Sequence, residues 1–223
     1  MKVRKIQVKA VFTEEVLGTA PQNKELYRTY IASKSEDAKK IEEEVNSLGV
    51  EAVLDKTRTG FSMDEDGEPH LWDYQIKGFF KDACGGIRKM TGSQSEKLKA
   101  YKKIIDKDIF ITPRKIRFEN IVDIGSCERP LRTSGPQGER TALAISDTVN
   151  AGSYICFSVF VLDSSAVKAV REWLDYGAVS GLGQWRNSGK GTFRAEIIAD
   201  EDIEIESFAE LLAWQWQSQA RQR

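Results

Sequence analysis

The chain has 223 residues, of which 40% are hydrophobic and 30% charged, and its formal net charge is −1. This length allows one large domain or two small ones, with enough chain to bury a substantial core. A near-neutral charge excludes a protein that attracts nucleic acid with its whole surface, so any such binding must come from local patches.

The first predicted element is a half-buried strand at residues 3–12, in which apolar and charged residues alternate. This start does not resemble a signal peptide, and no apolar run approaches the length of a membrane span. Within residues 20–55, a segment expected to be largely helical, helical spacing occurs over 26–31, a helix is predicted between about Ser33 and Gly49, and a short strand is expected at 50–54. The polar residues 56–69 that follow are expected to form a solvated loop.

The middle of the chain alternates between predicted helices and strands. Apolar residues recur at helical spacing over 77–90, and a second helix is predicted to begin near Ser93. A strand is expected at 109–118, around Pro113. Residues 127–140 contain three arginines and many turn-forming residues without an apolar period. They predict a long loop, a feature that in compact domains is usually functional or disordered.

The last third of the chain completes the predicted sheet. We expect a helix at 165–176 and strands at 141–146, 153–162 and 192–198. The strand at 153–162 is apolar on both faces and should be central in the sheet. Residues 200–206 predict an acidic linker to a final helix that contains Trp214 and Trp216. Two tryptophans near the end of the chain suggest docking on the body or on a partner.

This order of elements predicts an α+β fold, with a ferredoxin-like or RRM-like antiparallel sheet and helices on one face. Residues 1–199 would form one domain with the helical insertion at about 20–55. Residues 200–223 would form the linker and the docking helix.

A glycine-rich stretch, YGAVSGLGQWRNSGKGTF, runs from Tyr176 to Phe193. Four of its glycines form a G-x-G-x5-G-x-G arrangement that permits positive φ and a close approach to a ligand, and they are Gly181, Gly183, Gly189 and Gly191. Trp185 is suited to stacking on a base, while Arg186 and Lys190 are suited to phosphates. A dinucleotide-binding fingerprint is excluded, because the stretch follows a helix and precedes a strand. The alternative is an ordinary connection in which Trp185 caps the core.

Other cations are candidates for contacts with a nucleic-acid backbone, and they cluster on the helix at 77–90 and in the loop at 127–140. They are Lys77, Lys81, Arg88, Arg129, Arg132 and Arg140. The alternative for these side chains is a solvated charged face.

Catalysis and metal binding have weaker support in the sequence. His70, the one histidine, is a candidate acid or base for a metal-independent endoribonuclease, although a histidine in a polar loop is more often simply solvated. Three isolated cysteines argue against a Cys/His zinc site and favour a reducing compartment, the cytoplasm. The acidic residues 64–69 lack the later ligands of an EF-hand loop. No metal or cofactor is therefore expected.

Several stretches together resemble the RAMP superfamily of CRISPR-associated RNA-binding proteins, especially the backbone-type subunits that line a guide RNA. KIQVKAVFTEEVLG, at residues 5–18, is similar to their first strand and the Leu-x-Gly turn after it. DGEPHLWDYQIKGFFKDACGGIR, at residues 66–88, is similar to the segment that ends in their helix of Gly-Ser-Ser-x-Lys-Gly-x-x-Arg type. Residues 139–160 resemble their late hairpin with an Ala-Gly turn, and residues 174–193 resemble their helix and C-terminal glycine-rich loop.

The chain also departs from that pattern. Phe79 and Phe80 stand where the superfamily usually has serines, and neither the segment 20–55 nor the last helix has a counterpart. The resemblance implies a non-catalytic protein that binds single-stranded nucleic acid, RNA in preference to DNA, and that associates with itself or with other subunits. Two alternatives stay open at this point. One is a phage or host interaction protein, or a small-nucleotide binder, that keeps the fold; the other is the endoribonuclease.

Overall fold

A computed structural model of the chain describes residues 1–21, 58–135 and 138–211. Its strands are β1 (Lys2–Phe12), β2 (Val16–Leu17), β3 (Ala20–Pro21), β4 (Thr59–Gly60), β5 (Ser62–Met63), β6 (Pro69–Trp72), β7 (Ile109–Thr112), β8 (Lys115–Glu119), β9 (Ile124–Gly135), β10 (Gly138–Val149), β11 (Tyr154–Val161) and β12 (Phe193–Glu204). Its α-helices are α1 (Asp73–Ile87), α2 (Tyr101–Asp108) and α3 (Val167–Asp175). In this part of the chain, no helix is both long and apolar enough to cross a membrane.

The larger of two sheets has the strand order β12-β1-β11-β8-β6-β5, and β7 also pairs with β11. Its central strands pair antiparallel. The elements β1, α1, β8, β11, α3 and β12 therefore follow a β-α-β-β-α-β order around an antiparallel sheet, which is the ferredoxin-like arrangement. The predicted α+β class is confirmed, and so is the central position of the strand predicted at 153–162. The smaller sheet contains β2, β10, β4 and β3, with β9 paired to β10.

One face of the larger sheet is covered by α1 and α3, as predicted. Every second residue of β1, beginning at Ile6, is fully buried against this helical layer. Phe80 of α1 packs on Trp173 of α3 with 5.4 Å between ring centroids, and Phe79 packs on Phe193 of β12 at 5.2 Å. Each such ring contributes about 1.5–3 kcal/mol by leaving water. Phe79 and Phe80 are therefore core residues.

Some element boundaries differ from the predictions around α1. The helix begins at Asp73, earlier than expected, because the Gln75 side chain accepts a 2.8 Å hydrogen bond from the backbone N–H of Trp72 and closes its first turn. The strand predicted around Pro113 is two strands, β7 and β8, since proline has no N–H to donate to a ladder.

The long loop predicted at 127–140 is wrong, because the described residues of this stretch belong to the paired strands β9 and β10. Strands β9 and β10 pair from Ile124 opposite Val149 as far as Gly135 opposite Gly138. A two-stranded arm is held chiefly by main-chain hydrogen bonds, so its sequence needs no apolar alternation. The predicted helical segment at 20–55 lies almost wholly outside the described residues.

The acidic linker predicted at 200–206 is largely wrong, because β12 continues to Glu204. Asp200 and Asp202 lie beside Arg4 of β1 at 2.5 and 3.0 Å, and Arg171 of α3 also pairs with Asp200. Opposite charges from two neighbouring elements thus let this acidic segment join the sheet.

The start of the last helix rests on the chain's own body. Ile205 and Leu211 pack against Val3 and Phe160, on the end of the larger sheet. Trp214 and Trp216 lie outside the described residues, and self-association stays a prediction.

His70 was expected in a solvated loop, and this expectation is wrong. It lies in β6, and only 2% of it is exposed. Its ring meets the Trp72 ring edge-on, with 4.8 Å between centroids. Neither ring nitrogen has a hydrogen-bond partner among the described residues. Burial, followed by the charge of Lys115, lowers the pKa of His70 below its ordinary value.

The buried imidazole makes stability depend on pH. Because its pKa is lowered in the folded protein, the unfolded chain takes up the proton first as the pH falls. We expect the free energy of unfolding to decrease as the pH falls through the ordinary histidine value of about 6.5. In His70→Phe, which keeps a ring on Trp72, this component should disappear. Urea denaturation between about pH 7 and 5 measures it, and identical slopes in both proteins would contradict a neutral, buried histidine.

Candidate nucleic-acid interface

The glycine-rich stretch forms a loop, residues 179–192, that is fastened to the segment after β1. The Gly191 N–H donates to the Glu15 carbonyl at 2.8 Å, and the Gln184 N–H donates to the Leu17 carbonyl at 3.1 Å. The two stems of the loop also join each other, since the Leu182 N–H donates to the Gly191 carbonyl at 2.9 Å. We call residues 179–192 the glycine loop.

The glycines serve this internal closure. A Cβ at Gly181 would overlap the backbone of Gly191, and a Cβ at Gly183, whose φ is +86°, would lie 2.5 Å from the Leu17 carbonyl oxygen. The close approach expected toward a ligand is therefore made at these positions by the protein's own backbone. Gly189, at φ +83°, turns the chain with open space where its side chain would be.

A groove of about 850 Å³ lies between α1 and one side of the glycine loop. Its lining comes from one stripe of α1, the first turn of α2, the glycine loop and Thr19. The lining residues are Thr19, Tyr74, Gln75, Gly78, Phe79, Lys81, Asp82, Gly85, Tyr101, Lys102, Leu182, Gly183 and Arg186. Gly78 is exposed in mid-helix and has no atom within 4 Å of where a Cβ would stand, so the wall of the groove is open there.

Two predicted cations, Lys81 and Arg186, meet in this groove, and each has an acidic partner. Lys81 lies 2.6 Å from Asp106, and Arg186 lies 2.5 Å from Asp82 across the groove. Both pairs are substantially exposed, and such pairs contribute only about 0–1 kcal/mol. A phosphate can therefore replace either carboxylate at little cost.

Aromatic rings that the sequence analysis did not single out lie beside these cations. Tyr74 is 60% exposed, and its ring is parallel to that of Trp72 at 6.3 Å between centroids. Tyr101 lies under Arg88, whose guanidinium is 5.1 Å from the ring centroid. The signal that could have found them is the helical spacing of Tyr74, Gly78 and Gly85, which places polar and small residues on one stripe of α1.

The remaining predicted cations do not line the groove. Lys77 is beside the groove, over the Phe110 ring at 5.1 Å, and burial lowers its pKa. Lys190 faces away from the groove toward Glu15, at 2.6 Å, and this hydrogen bond raises the pKa of Lys190. Arg132 and Arg140 belong to the β9–β10 hairpin. The structure therefore does not gather all the predicted phosphate contacts in one place.

Trp185 lies on the other side of the glycine loop from the groove. Its ring covers the guanidinium of Arg129, whose Cζ atom is 4.0 Å from the ring centroid. Arg129 is only 4% exposed, and burial lowers its pKa. Its Nη2 donates to Oε1 of Gln184 at 2.7 Å and to Oγ of Ser146 at 3.3 Å. Trp185 itself is 36% exposed, so it does not cap the core.

The backbone of Trp185 has φ 57° and ψ 31°, the left-handed region that side chains other than glycine rarely adopt. We expect Trp185→Gly to be more stable than Trp185→Ala by about 1 kcal/mol, because both lose the ring but only alanine keeps the strain. Urea denaturation compares the two variants. If both variants instead lost several kcal/mol relative to the wild type, Trp185 would be acting as a core residue.

Comparison with known proteins identifies a fold relative. Over 91% of its length, the chain is similar to a chain in the cryo-EM structure of the type III-B Cmr-beta bound to cognate target RNA, with a TM-score of 0.51 and 13% sequence identity. The aligned part covers 61% of that longer chain. At this identity the likeness concerns the fold alone, and it supports the expected CRISPR-associated fold. No protein-family model and no curated protein matches the sequence.

Proposed function

We propose that the groove between α1 and the glycine loop binds single-stranded nucleic acid, RNA in preference to DNA, without cleaving it. One observation carries the proposal: cations, aromatic rings and a patch of α1 that has no side chain line a single groove. Arg186 supplies a cation from the loop, Tyr74 supplies a ring from α1, and Gly78 leaves the helix backbone accessible.

The lining suits both the phosphate and the base of a nucleotide. Lys81, Lys102 and Arg186 provide three positive charges, against the carboxylates of Asp82 and of Asp106, the partner of Lys81. Neutralised phosphates release counterions, which favours binding at low salt. Stacking of a base on an aromatic side chain contributes about 1–3 kcal/mol and tolerates any sequence. The groove therefore offers affinity without sequence selection.

The same lining favours a single strand, because a ring can reach a base face only when that base is unpaired. The preference for RNA rests on the likeness in fold to a chain of a complex bound to target RNA. This preference is tested by comparing RNA and DNA strands of the same sequence.

Cleavage through His70 has no support in this geometry. A general base must come within hydrogen-bond reach of the proton it abstracts, directly or through one water. Both ring nitrogens of His70 are enclosed within the fold, and His70 is not among the residues that line the groove. The proposed role is therefore binding alone.

Substitutions at Gly78 test the groove directly. Gly78→Ala should stabilise α1 by about 0.5–1 kcal/mol and leave binding nearly unchanged, because the added methyl group meets nothing. Gly78→Gln adds bulk and Gly78→Glu adds bulk and negative charge, so affinity for a short RNA should fall in the order Ala, Gln, Glu. Fluorescence anisotropy with a labelled single strand measures affinity, and thermal unfolding confirms folding.

Equal affinity for all three Gly78 variants would place the binding site elsewhere. Tight binding of a mononucleotide, with no gain from longer strands, would instead support the small-nucleotide alternative.

A second test removes one positive and one negative charge from the groove, in separate variants. Arg186→Ala should weaken binding about 10-fold, since a hydrogen bond to a charged group contributes about 1.5 kcal/mol or more. It should also flatten the salt dependence by roughly 0.7 for a single strand. Asp82→Ala should strengthen binding, because it removes the carboxylate that occupies Arg186.

Lys190→Ala is the matched control, since its cation lies in the same loop but faces Glu15. Anisotropy titrations at several salt concentrations measure all three variants. The proposal fails if Lys190→Ala weakens binding as much as Arg186→Ala.

A further inference from the structure

We propose that Arg129 is the centre of a buried oxyanion site behind the glycine loop, which accepts a phosphate group when the Trp185 ring swings aside. The site lies on the opposite side of the loop from the groove. It does not depend on nucleic acid being bound in the groove.

Arg129 is a buried cation without a counterion among the described residues. None of the ion pairs formed by the described residues includes Arg129, and its Nε and Nη1 atoms are enclosed without a hydrogen-bond partner. Asp147, the carboxylate next to Ser146 in β10, is already engaged by Arg58 at 2.5 Å. Buried charges in proteins are normally paired or bind a ligand, because leaving one unpaired costs several kcal/mol. An anion therefore completes this arrangement.

The groups around Arg129 favour an oxyanion. Ser146 is fully buried, and its hydroxyl lies 2.8 Å from the hydroxyl of Thr59. Hydroxyl hydrogens can rotate, so both groups can donate to an anion. A guanidinium and hydroxyl donors match the several acceptor oxygens of a phosphate group, which form short charge-assisted hydrogen bonds.

Trp185 closes the site from outside, with its ring 4.0 Å from the guanidinium. It lies between Gly183 and Gly189, which have φ values of +86° and +83°. Glycine changes backbone conformation at little steric cost, so these two positions can act as hinges. The left-handed conformation of Trp185 is strained for a residue other than glycine, and release of this strain favours opening.

A thermal-shift titration of the full chain with inorganic phosphate, at constant ionic strength, tests the site. We expect a saturable rise in Tm of about 5–10 °C at a hundredfold excess of phosphate over the Kd. Arg129→Met should abolish the rise, while Arg171→Met, which changes an exposed arginine paired with Asp200, should retain it. Without phosphate, Arg129→Met should unfold at the same temperature as the wild type or higher, because the uncompensated charge is gone.

Further titrations distinguish free phosphate from the terminal phosphate of a nucleic acid. They use the groove variant Gly78→Glu and one strand prepared with and without a 5′-phosphate. A response to inorganic phosphate that survives Gly78→Glu supports a free oxyanion as the ligand and is independent of the proposed groove. A response only to a strand with a 5′-phosphate, absent for the same strand without it, supports a terminal phosphate.

A Tm that rises with neither ligand overturns the proposal, and this result needs only the wild-type protein. The proposal is also overturned if the Tm of Arg129→Met lies below that of the wild type by the same amount with and without phosphate. The arginine would then be purely structural.

Discussion

The closure of the glycine loop on its own backbone is the constraint on which the candidate sites depend. Gly181 and Gly191 lie so close that a Cβ on either would overlap the main chain opposite, and the loop is hydrogen-bonded to the carbonyl groups of Glu15 and Leu17 in the segment after β1. The loop thereby becomes a thin partition with a fixed position. Arg186 projects to one side, toward α1, and Trp185 covers Arg129 on the other.

The two sides of this partition differ in their electrostatics. In the groove, Arg186 and Asp82 form an exposed pair, which water and salt weaken. Such a pair exchanges readily for a ligand phosphate, so the groove is suited to reversible binding of a polymer. Behind the loop, the charge of Arg129 is removed from water and has no counterion among the described residues. There an anion would be held strongly, but only after Trp185 moves. One short loop thus separates the proposed open groove from the proposed closed anion site.

The sequence predicts the framework better than the sites, for physical reasons. Alternation over β1 and the two-sided apolar character of β11 follow directly from burial in a sheet, and both strands were predicted close to their observed bounds. Of the β9–β10 hairpin only the strand at 141–146 was predicted, because main-chain hydrogen bonds leave no apolar pattern in the rest. The acidic end of β12 was missed because its partners, Arg4 and Arg171, are distant in sequence. The groove needs the relative placement of α1 and the loop, so the helical spacing of Tyr74 and Gly78 alone could not show that they line a site.

The central claim is that the α1 side of the glycine loop contacts nucleic acid, and photocrosslinking tests it most directly. A short single-stranded RNA containing 4-thiouridine is bound to the full chain, irradiated and digested, and the crosslinked peptides are identified by mass spectrometry. The account predicts crosslinks at Tyr74, at Tyr101 or in residues 182–186, and their reduction by an excess of unlabelled strand. Crosslinks confined to the outer face of β12, or none above the level of a non-binding control protein, would contradict it.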